Sequence, residues 1–296
     1  MSGMQVLTVA NQKGGVGKTT TTVNLAASLA LMGARVLVVD LEPQAQAGTA
    51  MGINVPRGET CRSLGWALQA FVQGIETDLP SIIYDRSALL EGWEAPGVLH
   101  LLASEESTMS RAQDLLVGAG FAATPMLRRM LLGLDGCYDF VVIDTPPAIS
   151  SLAAVGWAAG DWVLTVCYPE YATVRGAVTL AGSVKFVAKN TDNECNPQYL
   201  GAVLNKSSPP SSWKRQEVDV REGMVSSGLL PFVRDIRQDD RISRSFGGGV
   251  PAVLTFANLP PGRQYAALMH EVLGRITRPR DSWEIAPSSI EEKLGV

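Results

Sequence analysis

The chain of 296 residues contains few cysteines and no strong excess of charge. The four cysteines are widely separated and form no C-x-x-C pair: Cys61, Cys137, Cys167 and Cys195. This spacing argues against disulfides and metal sites, and it favours scattered thiols in a reducing cytoplasm. The net charge of −4 excludes a strongly basic protein, so any contact with nucleic acid depends on a local basic patch.

Long apolar runs and a leader are also missing. No apolar run approaches the roughly 18 to 20 residues that a transmembrane helix needs. The first residues lack a basic start followed by an apolar run and a cleavage site, which predicts that there is no signal peptide. We therefore expect a cytoplasmic protein of ordinary globular composition, with 46% hydrophobic and 18% charged residues.

Short apolar runs recur along the chain, and stretches with helical periodicity separate them. The apolar runs predict strands at residues 5–10, 35–42, 98–103, 139–144, 161–167 and 199–205. Helices are predicted from Lys18 to Gly33 and at residues 125–134, 173–189 and 263–276. This alternation predicts a single α/β domain over residues 1–277, in which helices cover both faces of a mostly parallel, twisted β-sheet.

Residues 278–296 change in character and are predicted to form a C-terminal tail. Within this tail, Ser288 and Glu291 have the spacing that caps a short helical turn.

A glycine-rich stretch, KGGVGKTT, lies between the first predicted strand and the first predicted helix. Backbone N–H groups in such a turn point at a phosphate, and the helix N-terminus adds partial positive charge. Lys18 is placed to reach the β- and γ-phosphates, and the Thr19 hydroxyl to bind Mg²⁺. The alternative, a glycine-rich turn with incidental lysines, does not explain the strand–loop–helix order. The residues predicted to hold the phosphates are Gly14, Gly15, Val16, Gly17, Lys18, Thr19 and Thr20.

The loop departs from the common pattern G-x-x-x-x-G-K-[ST], because Gln12 occupies the position of the first glycine and Lys13 adds a second lysine. From the residues alone, Lys13 is either solvated or neutralises phosphate charge. The stretch resembles the deviant Walker A motif of the ParA/MinD superfamily, and NQKGGVGKTTTTVNLA resembles its ParA branch. The resemblance implies a P-loop NTPase fold that binds ATP and Mg²⁺. It also implies that Lys13 reaches across a homodimer to the nucleotide of the other subunit.

Carboxylates follow two of the predicted strands. FVVIDTPPA ends an apolar strand at Asp144, which predicts a Walker B aspartate that holds Mg²⁺; a strand-end cap is the alternative. Residues 145–147 resemble the family's segment that senses the γ-phosphate. VVDLEPQ resembles the family's D-x-D-P-Q motif, so the resemblance implies catalytic roles for Asp40 and Glu42. Because Glu42 replaces the usual aspartate, we expect slow hydrolysis or a greater dependence on Asp40.

Later segments extend the resemblance to roughly residues 4–277. Pro169 and Glu170 precede a helix, as in the family, and add little chemistry of their own. Asn205 ends a strand, where its amide either pairs with adenine or caps the turn.

RDIRQDDRISRSF resembles a ParA segment implicated in nonspecific DNA binding, although Arg244-Ser245 replace the usual Glu-Ala. The predicted DNA-binding residues are Arg237, Arg241 and Arg244; the alternative is an exposed salt-bridged surface with neighbouring aspartates.

The resemblance implies a partition ATPase with weak intrinsic activity that is associated with the nucleoid. An ATP-dependent dimer would bind nonspecific DNA, and a ParB-like centromere-binding adaptor would stimulate hydrolysis. No extension precedes the first strand, so we expect no separate operator-binding domain.

Three other classes of protein fit the sequence less well. A MinD-like ATPase needs a basic amphipathic membrane anchor, whereas the tail combines apolar residues with glutamates: Trp283, Ile285, Ile290 and Leu294 with Glu284, Glu291 and Glu292. An iron–sulfur ATPase needs cysteines near the dimer axis, and neither Cys137 nor Cys167 is suitably placed. A bacterial tyrosine kinase would carry a tyrosine cluster in its tail, which this sequence lacks.

Overall fold

The computed structural model describes residues 3–286. In it, strands and helices alternate as the sequence predicts. Within this range the strands are β1 Gln5–Ala10, β2 Arg35–Asp40, β3 Tyr84–Asp85, β4 Val98–Leu102, β5 Phe140–Asp144, β6 Trp162–Cys167, β7 Gln198–Ser207 and β8 Ile236–Arg237. The helices are α1 Lys18–Leu31, α2 Gln46–Ala50, α3 Leu64–Val72, α4 Glu106–Ala119, α5 Met126–Leu132, α6 Ser151–Ala159, α7 Tyr171–Asn190, α8 Arg215–Ser226, α9 Asp240–Gly247, α10 Ala252–Thr255 and α11 Pro260–Thr277. The six predicted strands are all present, and β7 continues beyond its predicted end to Ser207.

The strands form one sheet in the order β3-β4-β2-β5-β1-β6-β7-β8. All neighbouring pairs are parallel except β3 with β4, which confirms the predicted α/β sheet. Since the strands are parallel, their carboxyl ends meet at one edge of the sheet. Asp40 and Asp144 are directly paired across β2 and β5 at this edge.

Apolar residues on the two faces of the sheet pack against different helices. On one face, Leu7 and Val9 of β1 belong to a core with α1, α2, α10 and α11. On the other face, residues of β2 and β5 pack against α3, α4, α5 and α6, while α7 and α8 cover β6 and β7. Burial on both faces explains why the sequence of each central strand is a continuous apolar run.

A buried ion cluster fixes α8 against the end of the sheet. Arg221 is 4% exposed, and its guanidinium donates to Glu217 at 3.1 Å and to Asp235 at 2.7 Å. The same guanidinium stacks 3.8 Å from the ring centroid of Trp213. Asp235 is one of the aspartates that neighbour the predicted DNA-binding arginines in the sequence. In the structure it pairs with Arg221.

The first part of the predicted tail packs on the domain through Arg275 of α11. This side chain is 2% exposed and donates to the carbonyls of Leu230, at 2.7 Å, and Glu284, at 2.8 Å. The Ala286 N–H donates to the Pro231 carbonyl at 3.1 Å. The predicted cap at Ser288 and Glu291 lies outside the described residues.

Two features are absent from residues 3–286. In this part of the chain no helix combines the length and apolar character that crossing a bilayer requires. The same residues contain no group of three or more histidine, cysteine, aspartate or glutamate side chains suited to hold a metal ion. Cys137 is exposed, and Cys167 is buried.

Candidate nucleotide-binding site

The glycine loop connects β1 to α1 at the carboxyl edge of the sheet. Gly15 and Gly17 have φ angles of 72° and 93°, a left-handed conformation that favours glycine. A Cβ added at Gly17 would lie 2.2 Å from the amide nitrogen of Asn205. Gly17 is therefore required both by its backbone conformation and by the close approach of β7.

A cavity of about 400 Å³ opens above this loop, within the size range of small-molecule sites. Six of the seven predicted phosphate-binding residues line it; Val16 instead is buried in the core beneath the loop. The remaining walls come from the ends of the neighbouring strands and from one face of α9. The lining residues are Gly14, Gly15, Gly17, Lys18, Thr19, Thr20, Glu42, Gln44, Gln46, Pro147, Tyr168, Lys206, Ile242, Ser243 and Phe246.

The first turn of α1 and the end of β5 bring together a hydroxyl, a carboxylate and an ammonium group. The Thr19 hydroxyl donates to Asp144 at 2.6 Å, and the Thr22 hydroxyl is 3.4 Å from the other oxygen of that carboxylate. Burial raises the pKa of Asp144 to about 7, against the opposing effects of Thr19 and Lys18. Burial also lowers the pKa of Lys18, although nearby Asp144 and Glu42 favour its charged form.

These oxygens are the hard ligands that Mg²⁺ prefers. Mg²⁺ is usually held by one or two carboxylates together with waters and substrate phosphates, so it needs no cage of protein ligands. Thr19 and Asp144 next to a phosphate loop fit that pattern. The 2.6 Å hydrogen bond shows that the hydroxyl and carboxylate already lie close to one another.

The two carboxylates after β2 have different surroundings. Asp40 is fully buried and accepts three backbone N–H bonds, from Glu42 at 3.0 Å, Ala47 at 3.1 Å and Gly48 at 3.2 Å. Its carboxylate therefore holds the start of α2. Glu42 lines the cavity, and burial raises its pKa while Lys18 opposes the shift. Of the two, Glu42 is the one that faces the cavity.

Lys13 lies on the outer side of the loop. Its side chain is 42% exposed, and its ammonium forms an ion pair with Glu170, which follows β6. The Lys13 N–H donates to the Asn11 side chain at 3.0 Å, and this residue in turn donates to the Val166 carbonyl. Glu170 thus has an electrostatic role that the sequence pattern had not indicated.

Asn205 supports the loop from behind. Its amide nitrogen donates to the Val16 carbonyl at 2.8 Å, and its amide oxygen accepts from the Lys206 N–H at 2.9 Å. The side chain is 5% exposed and does not line the cavity described above. Its structural contacts account for its position, and pairing with adenine stays a prediction.

The predicted DNA-binding arginines lie on β8 and α9. The face of α9 opposite to its arginines lines the cavity. Arg241 makes a two-point contact with Asp239, with distances of 2.9 and 2.7 Å, so its charge is locally compensated. Arg237 and Arg244 are exposed, and within residues 3–286 neither forms an ion pair. The alternative of an exposed salt-bridged surface therefore applies to Arg241. Arg237 and Arg244 stay candidates for contacts with DNA.

A family profile described as "AAA domain" matches residues 4–196. The chromosome-partitioning ATPase Soj of Thermus thermophilus is 33% identical over 273 residues, covering 91% of this chain and 96% of that protein. This chain belongs to the ParA/Soj-like partition ATPases of the ParA/MinD P-loop family. The predicted family is thereby confirmed.

Solved structures agree with the fold. Apo McdA from Cyanothece has a TM-score of 0.76 at 21% identity, covering 92% of this chain and all of McdA. Cobyrinic acid a,c-diamide synthase from Mycobacterium smegmatis, solved with bound ADP and magnesium, has a TM-score of 0.73 at 24% identity. That match covers 96% of this chain and 100% of the synthase. The predicted P-loop NTPase fold is confirmed.

Proposed function

We propose that this protein is an ATP-dependent DNA-partition switch, carried by a domain that comprises residues 1–277. The observation that carries the proposal is the cavity at the carboxyl edge of the sheet. Lys18 and Thr19 line this cavity, and the Thr19 hydroxyl donates to Asp144 beneath it, an arrangement that supports the binding of a nucleoside triphosphate with Mg²⁺.

In this proposal the loop N–H groups and Lys18 hold the β- and γ-phosphates. Thr19 and Asp144 would hold Mg²⁺, which would supply neutralisation of the phosphate charge. Glu42 accepts a hydrogen bond from the attacking water. The water oxygen bonds to the γ-phosphorus as the bond to the ADP oxygen breaks. Asp40 acts as a positioning residue, because its carboxylate accepts backbone N–H groups from Glu42 and from α2.

The exposed ammonium of Lys13 supports an ATP-dependent homodimer. A half-exposed ion pair contributes little, so exchanging Glu170 for a polyphosphate costs little free energy. On that basis Lys13 leaves Glu170 and contacts the nucleotide of the partner subunit. Loss of the γ-phosphate then removes the contact and separates the dimer.

Nonspecific DNA is the proposed ligand of the dimer, with Arg237 and Arg244 as the principal contacts. Both are exposed, and α9 presents its other face to the nucleotide cavity. Arg241 contributes less, because Asp239 already neutralises it. A ParB-like adaptor is the proposed activator of hydrolysis, and nucleoid DNA is the expected location.

The decisive experiment is DNA co-sedimentation with ATP, ADP or no nucleotide at two salt concentrations. We expect binding with ATP only, and a steep loss at high salt because phosphate contacts release counterions. The Lys18→Ala variant should not bind DNA under any of these conditions. Lys13→Ala should still bind nucleotide but remain monomeric in scattering measurements. Binding that is indifferent to nucleotide would contradict the proposal.

Charge-reversal variants test the DNA contacts separately. Arg244→Glu should abolish binding, Arg241→Glu should weaken it less, and Arg111→Glu is a matched control. Arg111 is exposed on α4, which packs on the opposite face of the sheet. Equal losses for Arg244 and Arg111 would show that only overall charge matters.

Glu42→Ala tests the role of the catalytic carboxylate. The variant should bind ATP and DNA but turn over more slowly than the wild type, by about a hundredfold if Glu42 orients the water. Unchanged turnover would remove Glu42 from the mechanism.

A further inference from the structure

Lys206 stands at an irregularity in the sheet. The register between β7 and β8 shifts between Asn205 and Ser207, so Lys206 is the extra residue of a bulge. Its φ angle is 53°, a left-handed conformation that is unfavourable for a residue with a Cβ. Bulges next to active sites commonly redirect a side chain.

The bulge directs Lys206 towards the nucleotide cavity, and neighbouring residues hold it there. Its N–H donates to the Asn205 amide oxygen at 2.9 Å, and Asn205 itself is bound to the glycine loop. The Lys206 ammonium lies 4.8 Å from the ring centroid of Tyr168. The Tyr168 hydroxyl donates to the Gly15 carbonyl, and both Tyr168 and Lys206 line the cavity.

We propose that Lys206 is a third lysine of the nucleotide site and binds the polyphosphate of the nucleotide in its own subunit. The Lys206 ammonium lies over the Tyr168 ring, an interaction that is weak at an exposed site. A polyphosphate is a stronger partner for an ammonium, because charge-assisted hydrogen bonds exceed contacts with a neutral ring. Lys206 thus differs from Lys13, which is proposed to act on the partner subunit.

The position of Lys206 argues against an incidental surface lysine. An ordinary exposed lysine needs neither a left-handed backbone nor a bulge at the edge of a cavity. Strained backbone persists where the surrounding structure imposes it, and it clusters at ligand sites. Here Asn205 imposes it through two hydrogen bonds, one to Lys206 and one to the phosphate loop.

The inference rests on the proposed nucleotide binding, and its test keeps the two separate. Titration calorimetry measures the Kd for ADP and for ATPγS, with Mg²⁺, at low and high salt. ADP reports on the site without dimer formation. We expect Lys206→Met to weaken both ligands at least about tenfold at low salt, and less at high salt, because a charge contact is screened.

Two further variants complete the test. Lys206→Gly should lose the same affinity, yet raise the Tm of the nucleotide-free protein, because glycine accepts the positive φ without strain. Lys185→Met, an exposed lysine of α7 outside the cavity, should bind as the wild type does.

Each other outcome is decisive. Wild-type affinity in Lys206→Met, or a loss that salt does not change, would overturn the inference and leave the proposed function intact. An unchanged Tm in Lys206→Gly would remove the argument from strain and overturn it as well. A wild-type protein that binds neither nucleotide would overturn the proposed function together with this inference.

Discussion

Replacing Asp40 with alanine should destabilise the protein even when no nucleotide is present. The carboxylate is fully buried and accepts backbone N–H groups from Glu42, Ala47 and Gly48. Without it, all three donors lose this acceptor, and two of them belong to the start of α2. Because α2 packs in the same core as α1, the loss reaches the support of the glycine loop.

The magnitude follows from two opposing effects. Each buried donor left unpaired costs about 1–3 kcal/mol, so three such donors cost at least about 3 kcal/mol. The substitution also removes a carboxylate whose pKa is raised by burial and by nearby Asp144, which recovers part of that cost. A net loss of about 2–4 kcal/mol remains, and it should lower the Tm by roughly 5–15 °C in a domain of this size.

Thermal and urea unfolding of the nucleotide-free protein measure this loss, and Glu42→Ala is the matched control. Glu42 lines the cavity and holds no helix start, so its removal should change the Tm by only about 2–4 °C, the effect of roughly 1 kcal/mol. If Asp40→Ala unfolds like the wild type but loses turnover, Asp40 is a catalytic residue and its assignment to positioning α2 is wrong.

Three further outcomes are expected. Gly17→Ala should abolish nucleotide binding and lower the Tm, because its Cβ would meet the Asn205 amide at 2.2 Å; normal ADP affinity by calorimetry would refute this. Arg221→Met should cost about 3–5 kcal/mol in urea unfolding, since it removes the buried guanidinium that pairs with Glu217 and Asp235; a loss below about 1 kcal/mol would contradict this stabilising role. Burial lowers the pKa of His100 below 6.5, so the folded protein binds fewer protons than the unfolded chain, and stability should fall as pH drops through about 6.5. His100→Gln should flatten that part of the stability profile, and an identical profile would contradict the assignment.

Local sequence features predicted the elements that carry the phosphate site. The run before the loop is a strand because it is buried on both faces, and the helix after it begins at Lys18, as expected from the change in periodicity. Gly15 and Gly17 were predicted as turn residues because glycine alone adopts their left-handed backbone without strain. These inferences depend on neighbours within a few residues, so sequence suffices for them.

The different roles of Asp40 and Glu42 could be predicted only in part from the sequence. Sequence placed Asp40 and Glu42 two residues apart at a strand end, which suggests similar environments. The tertiary structure separates them, because the chain turns back at α2 and its N–H groups enclose Asp40. Which carboxylate faces the cavity depends on that turn, and no local pattern determines it.

The sequence by itself determined the alternation of strands and helices, the glycine loop, and the lysine and carboxylates at the carboxyl edge of the sheet. Only the tertiary structure decided which distant groups meet the loop: Glu170 at Lys13, Asn205 behind Val16, and Lys206 over Tyr168. The partners in each pair are more than 30 residues apart in the chain, so their contact depends on the order of strands in the sheet. Strand order is a property of the packed whole, which spacing along a sequence does not express.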